Sequence, residues 1–209
     1  MSTVLTEIAR TRIIAIVRLA HYNRALEVAQ ALIAGGITTI EFTLSGSGAL
    51  HAITQTRAVL GDSAVIGAGT VLTVEDVGAV AGAGAQFIVT PYMSPMIIEN
   101  SHAHNIPIIC GALTPTEMMQ AHEAGADMIK VFPARQVGPQ YVRDVLAPLP
   151  HLRLVPTGGV TAQNASAYLQ AGSVAVGIGG NLVSEQAVSA GAWEQITRLA
   201  RECVESTRT

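Results

Sequence analysis

Eight short apolar, β-branched runs, separated by Ala-rich stretches of helical period, constrain this chain more than any other feature. The runs are IIAIV (13–17), TTIEF (38–42), AVIGA (64–68), QFIVT (86–90), IPIIC (106–110), DMIKVF (127–132), LRLVP (152–156) and SVAVGI (173–178). Nearly continuous apolar strands that alternate with helices describe a parallel sheet clothed by those helices. The intervening segments, among them NRALEVAQALIAG, VEDVGAVAGAG, TPTEMMQAHEAG and TAQNASAYLQAG, place apolar residues at i, i+3 and i+4.

A local signature recurs where a helix hands over to the next strand: AGGIT, AGAGAQF, EAGADMI and QAGSVAV. Each glycine supplies the left-handed turn that ends the helix. Eight such units predict a closed (β/α)8 barrel of the TIM type rather than an open doubly wound sheet. The barrel is expected as one domain over residues 1–209, with an extra N-terminal helix over 2–11 and a closing helix over AWEQITRLARECVE.

Composition narrows the partners. The 209 residues are 49% apolar and 13% charged, which suits a large core; the formal net charge is -3, and no run of Lys or Arg occurs. Nucleic acid and anionic membranes are therefore not expected as partners. No apolar stretch approaches ~18 residues, and the N-terminus MSTVLTEIARTR lacks a signal-peptide core, so a cytoplasmic protein is expected. Two cysteines, Cys110 and Cys203, are too few for a disulfide scaffold and point to reduced thiols.

One residue then stands out. Lys130, in IKVFPAR, is the only lysine; the other eleven basic positions are arginine. Strand alternation turns Met128, Lys130 and Phe132 into the barrel and Ile129 and Val131 outward. The same alternation sends Thr39 and Glu41 inward and Ile40 and Phe42 toward the helices. Lysine and glutamate then share the lumen, either as a structural ion pair or as reacting groups. A buried pair is often no more stabilising than an apolar replacement, which gives it little reason to be there for stability. At a solution pKa of about 10.4, roughly one lysine in two thousand is neutral at pH 7, and only the neutral amine attacks a carbonyl. Desolvation or a neighbouring cation lowers that pKa by several units and prepares the nucleophile.

Other polar residues fall at the strand ends where such barrels carry chemistry: Arg18, Thr70, Pro91 and Thr157. Two glycine pairs, Gly158–Gly159 in PTGGVTAQN and Gly179–Gly180 in GIGGN, follow the seventh and eighth runs. That is where backbone N–H groups and helix N-termini hold a phosphate, with Thr161 the candidate N-cap. His102 and His104 have ligand-like spacing but no accompanying carboxylate or cysteine cluster, and they belong to the far end of the barrel, so no metal is expected.

IVR (16–18), GGITTIEFTL (35–44), GAGTVL (67–72), VTP (89–91), TPTE (114–117), KVFPA (130–134), PTGGV (156–160) and GIGGN (177–181) resemble, in order and spacing, the class I 2-keto-3-deoxy-6-phospho-sugar-acid aldolases. The resemblance runs from about residue 10 to 205. It implies cleavage of a phosphorylated keto-deoxy sugar acid to pyruvate and glyceraldehyde 3-phosphate in a homotrimeric barrel that needs no cofactor. It further implies that Lys130 forms the Schiff base and Glu41 is the acid/base. Arg18 and Thr70 would hold the pyruvate carboxylate end, Pro91 and Phe132 would shape the pocket, and Thr157 would contact substrate. Gly158, Gly159, Gly179, Gly180 and Asn181 would carry phosphate. Two departures stand out: Ser45 in EFTLS, where the phosphogluconate enzymes have an arginine, and Asn181, where serine is common. The first leaves the C4 configuration of the substrate open and leans toward the phosphogalactonate branch.

Rival readings remain at this level. An aldolase of 4-hydroxy-2-oxoglutarate would need no phosphate. A phosphosugar isomerase or epimerase would use Glu41 as base and Lys130 only as a charge, and a non-catalytic phosphometabolite-binding barrel would use the glycine pairs alone.

Overall fold

A computed structural model describes residues 3–208. Its elements are α1 (Thr3–Thr11), β1 (Ile13–Val17), α2 (Ala25–Ala34), β2 (Thr39–Thr43), α3 (Ala49–Leu60), β3 (Val65–Gly69), α4 (Val74–Gly82), β4 (Ile88–Val89), α5 (Pro95–Ala103), β5 (Ile108–Ala112), α6 (Pro115–Glu123), β6 (Met128–Val131), α7 (Gly138–Leu146), β7 (Leu154–Pro156), α8 (Ala165–Gln170), β8 (Val176–Ile178), α9 (Glu185–Ser189) and α10 (Trp193–Ser206). The eight strands run parallel in the order β7-β6-β5-β4-β3-β2-β1-β8. The seam between β7 and β8 is drawn together by a parallel bridge of Thr157 with Gly177 and a bond from Val174 N–H to the Leu154 carbonyl at 3.0 Å. This is the (β/α)8 barrel expected from the eight runs. Position 2 of the expected N-terminal helix lies outside the described residues.

The recurring glycines act as the repeat implies. Gly36, Gly84, Gly125 and Gly172 have φ of 95°, 87°, 99° and 107°, each one residue past a helix C-cap. In each case the next N–H reaches back to the last turn: Ile37 to Leu32, Ala85 to Val80, Ala126 to Ala121, and Ser173 to Tyr168. That back-bonding satisfies carbonyls that a helix end leaves bare. At the other ends, Thr73 with Asp76 and Thr114 with Glu117 form reciprocal capping boxes.

Strand edges shift from the sequence reading for local reasons. Pro107 has no N–H to donate, and β5 starts at Ile108. Over 86–90 only Ile88–Val89 is regular strand, because the Gln86 side chain takes the Ile66 N–H at 2.9 Å in place of a ladder carbonyl.

Strand alternation sorts the apolar residues into two cores. The larger lies between barrel and helices and includes Val17, Ile40, Phe42, Ile66, Ile108, Cys110, Ile129, Val131 and Leu154. The smaller fills the lower lumen with Ile14, Phe87, Val89, Ile109, Met128 and Val155, and α1 adds Leu5 and Ile8 to it. Helix α1 therefore plugs the N-terminal end of the barrel. Burying each such side chain is worth about 1.5–3 kcal/mol.

Candidate active site

Above the apolar plug, the inward positions turn polar. Lys130 lies mid-strand on β6, paired in register with Gly111 of β5 and Val155 of β7, and is 4% exposed. Glu41 lies on β2 opposite Ile16 of β1 and Gly67 of β3, and is 2% exposed. None of the described ion pairs joins them. Their charges nevertheless reach each other. Burial, helped by the charge of Arg18 and opposed by that of Glu41, holds the Lys130 pKa below the ordinary lysine value. Burial pushes the Glu41 pKa up, against the pull of Lys130 and Arg18. Both shifts favour the neutral form. The Lys130 Nζ also sits 4.9 Å over the Phe132 ring.

Room for the Glu41 carboxylate and its surroundings comes from glycines that the sequence reading did not single out. A Cβ at Gly69 would overlap the Glu41 carboxylate, and one at Gly177 would overlap the Thr157 hydroxyl. A Cβ at Gly111 would meet the Pro91 backbone, and one at Gly67 the Phe87 ring. These glycines occupy inward strand positions, so close approach of residues on the neighbouring strands, not a special φ, requires them. The two-residue spacing of Gly67 and Gly69 in GAGT was the available signal. The Glu41 Oε1 that lies against Gly69 has no hydrogen-bond partner, leaving one carboxylate oxygen buried and free to accept a proton.

The lumen opens at the C-terminal ends of the strands into a cavity of about 360 Å³. Its walls include Arg18, Lys130, Phe132, Thr157 and the two glycine pairs with Asn181. Nine of the twelve residues singled out from sequence thus meet at one cavity. Glu41 lies below it, while Thr70 and Pro91 follow β3 and β4 on the same rim but do not line it. Thr70 holds a left-handed backbone at φ 58°.

The glycine loops correct one expectation. Thr161 caps no helix: α8 starts at Ala165 after a turn, with the Thr161 N–H on the Asn164 Oδ1 at 2.8 Å. Helix α9 likewise starts only at Glu185. The loops offer backbone rather than helix ends. No described hydrogen bond uses the N–H of Gly158, Gly159, Gly179, Gly180 or Asn181. Gly158 and Gly159 have φ of 88° and 91°, a backbone that favours glycine.

Sequence reasoning also passed over Arg135, which lines the cavity beside the glycines. Other parts of the molecule compete poorly. A cavity of about 430 Å³ at the closed end is lined by Arg10, Arg12, Arg208 and threonines, with no nucleophile. His102 bonds Asp127 at 3.0 Å, and no group of three metal-binding side chains occurs among the described residues. Burial raises the pKa of the Cys110 thiol and pushes that of Cys203 up to about 11.

The chain is similar to known proteins over nearly all of its length. A family model described as aldolase, KDPG and KHG aldolase, matches residues 4–199. The 2-dehydro-3-deoxy-phosphogluconate aldolase of Treponema pallidum is 36% identical over 206 residues, covering 98% of each chain. A solved native KDPGal structure superposes with a TM-score of 0.87 at 33% identity, covering 94% of each chain. A KDPG aldolase from Legionella pneumophila, with pyruvate captured at low pH as a covalent carbinolamine intermediate, superposes with a TM-score of 0.88. It is 30% identical and covers 96% of this chain and 97% of that one.

Proposed function

The chain belongs to the KDPG and KHG aldolase family, and from that premise we propose that it is a class I aldolase that cleaves a 2-keto-3-deoxy-6-phospho sugar acid to pyruvate and glyceraldehyde 3-phosphate, with Lys130 as its nucleophile. The observation that carries the proposal is a single lysine, 4% exposed and held toward its neutral form by burial, in one lumen with a buried carboxylate.

In the proposed reaction the neutral Lys130 amine adds to the C2 ketone, and the carbinolamine takes a proton from the Glu41 carboxyl as water leaves, giving a protonated imine and the Glu41 carboxylate. That iminium accepts the electron pair of the C3–C4 bond. Glu41, through a water, takes the C4 hydroxyl proton as the bond breaks and the aldehyde phosphate leaves. The remaining enamine takes a proton at C3 from the same carboxyl, and hydrolysis frees pyruvate and the amine. A raised Glu41 pKa suits a group that must both accept and return a proton near neutral pH. Arg18 is assigned the substrate carboxylate, with Thr70 on the neighbouring rim. Phe132 and Pro91 shape the site, Thr157 contacts the substrate, and the free N–H groups of Gly158, Gly159, Gly179, Gly180 and Asn181 receive phosphate.

Borohydride reduction in the presence of pyruvate, followed by peptide mass analysis, tests the reading. The adduct is expected on Lys130. Lys130→Arg keeps the charge but offers no neutral amine, so it should give no adduct and lose about 10⁴-fold or more in turnover. Retained turnover in that variant sinks the proposal. Coupled pyruvate-release assays with the gluconate- and galactonate-series substrates, and with 4-hydroxy-2-oxoglutarate, decide the C4 configuration and the need for phosphate. The same reading makes the protein a cytoplasmic homotrimer serving Entner–Doudoroff-type breakdown of sugar acids. No helix among the described residues is long and apolar enough to cross a membrane, and Leu72, Tyr92 and Met96 are exposed apolar side chains of the kind a subunit contact covers. Light scattering checks the trimer.

A further inference from the structure

We propose that Arg135 is a substrate-binding residue that selects for the phosphate: its guanidinium closes over the phosphate held by the two glycine pairs. This rests on the aldolase reading and extends it to a residue outside the glycine loops.

Arg135 belongs to a short 3₁₀ turn, Ala134–Gln136, immediately after the strand that carries Lys130. Backbone bonds fix that turn to the glycine loop. The Ala134 N–H donates to the Thr157 carbonyl and the Arg135 N–H to the Gly158 carbonyl, each at 2.8 Å. The buried Tyr168 hydroxyl donates to the Ala134 carbonyl at 3.1 Å. The arginine stem then packs on Gly159, where an added Cβ would stand 2.5 Å from the Arg135 Cβ. The position of the side chain relative to the unoccupied N–H groups is therefore set by backbone, while the guanidinium itself is exposed and engages no partner among the described interactions.

Charge placement follows the substrate. Two arginines, Arg18 and Arg135, line the cavity, and no acidic side chain does. The charge of Arg18 is felt at both Lys130 and Glu41, whereas that of Arg135 figures at neither. Arg18 directly follows β1, whose Ile16 is paired with Glu41, whereas Arg135 lies in the turn bonded to the Gly158–Gly159 loop. A keto acid bound through C2 has its carboxylate one bond from the imine carbon and its phosphate four carbons beyond, so a substrate of this length with an anionic group at each end puts one such group at each arginine. A planar guanidinium fork matches phosphate oxygens bidentately, which the point charge of a lysine does not.

The test uses the condensation direction, with pyruvate and either glyceraldehyde 3-phosphate or glyceraldehyde as acceptor. The readout is the ratio of kcat/KM for the two acceptors, in the wild type, Arg135→Met and Arg135→Lys. The expected result is a fall of about 10–100-fold in that ratio for Arg135→Met, carried by KM for the phosphorylated aldehyde, with Arg135→Lys in between. An unchanged ratio in Arg135→Met overturns the proposal while leaving the aldolase reading intact. A wild type that shows neither condensation nor borohydride trapping of pyruvate overturns both. Trapping on Lys130 without any preference for the phosphorylated acceptor overturns this proposal and the assigned phosphate, and leaves the Schiff-base aldolase reading intact. Because the side chain is exposed, the variants are expected to fold, and the unphosphorylated acceptor reports on the integrity of each preparation.

Discussion

The two ends of the barrel lumen are built from the same strands and obey opposite rules. The lower end is filled by Ile14, Phe87, Ile109, Met128 and Val155 and sealed by Leu5 and Ile8 of α1. The upper end holds Lys130, Glu41 and Thr157, with glycines at 69, 111 and 177 where side chains would otherwise fill the space. Below, every inward residue adds dispersion and hydrophobic stabilisation. Above, two ionisable groups sit with their charged forms penalised, and one carboxylate oxygen lacks a partner. The difference teaches that the plug supplies the stability against which the reactive end is strained.

Substitutions at the two ends should therefore separate stability from activity. The largest effect is expected below: Phe87→Ala empties the fully buried aromatic position of the plug and should lower stability by about 3–5 kcal/mol, read by chemical denaturation, while the folded fraction keeps its KM. A large KM change would show that the two ends are not independent. Gly69→Ala comes next. Its methyl group must push the Glu41 carboxylate aside, so turnover should fall about 10²–10³-fold, with only a modest loss of stability. Unaltered turnover would mean that Glu41 is not held where the reaction needs it.

Glu41→Gln is expected to run the other way in stability. A group with a raised native pKa binds more protons folded than unfolded between its unfolded and native pKa, so its contribution weakens as pH rises through that window. The amide removes that cost. The variant should gain about 1–3 kcal/mol at neutral pH, and the gain should vanish below the ordinary carboxylate range. A thermal-melting series from pH 4 to 8 reads this, and a destabilised neutral-pH variant would break the comparison. The smallest effect concerns Arg18→Met. Arg18 lowers the Lys130 pKa, so its removal should move the alkaline-side rise of pyruvate trapping to higher pH, whereas Glu41→Gln should move it lower. Shifts of the same sign in both variants would contradict the electrostatics.

Much of this was legible before any coordinates. The eight runs and the left-handed glycines are local patterns, and Gly36, Gly84, Gly125 and Gly172 adopt the backbone that their Ala-Gly context implies. Strand alternation put Glu41 and Lys130 on one inner face, where both are buried. The helix starts after the glycine pairs were misjudged at Thr161, because a candidate cap does not reveal the turn that intervenes before Ala165. Arg135 was in view, in IKVFPAR, yet nothing in its neighbours along the chain says which loop it will pack on.

The sequence by itself determined periodicity, hence the elements, their order and the side of each strand that faces inward, because those depend on dihedral preferences and residue spacing over a few positions. Only the tertiary structure decided that Gly69 clears space for a carboxylate on β2, that Arg135 rests on Gly159, and that Lys130 is dry. Those are distances between strands and loops far apart in the chain, and closure of the barrel, not local pattern, sets them.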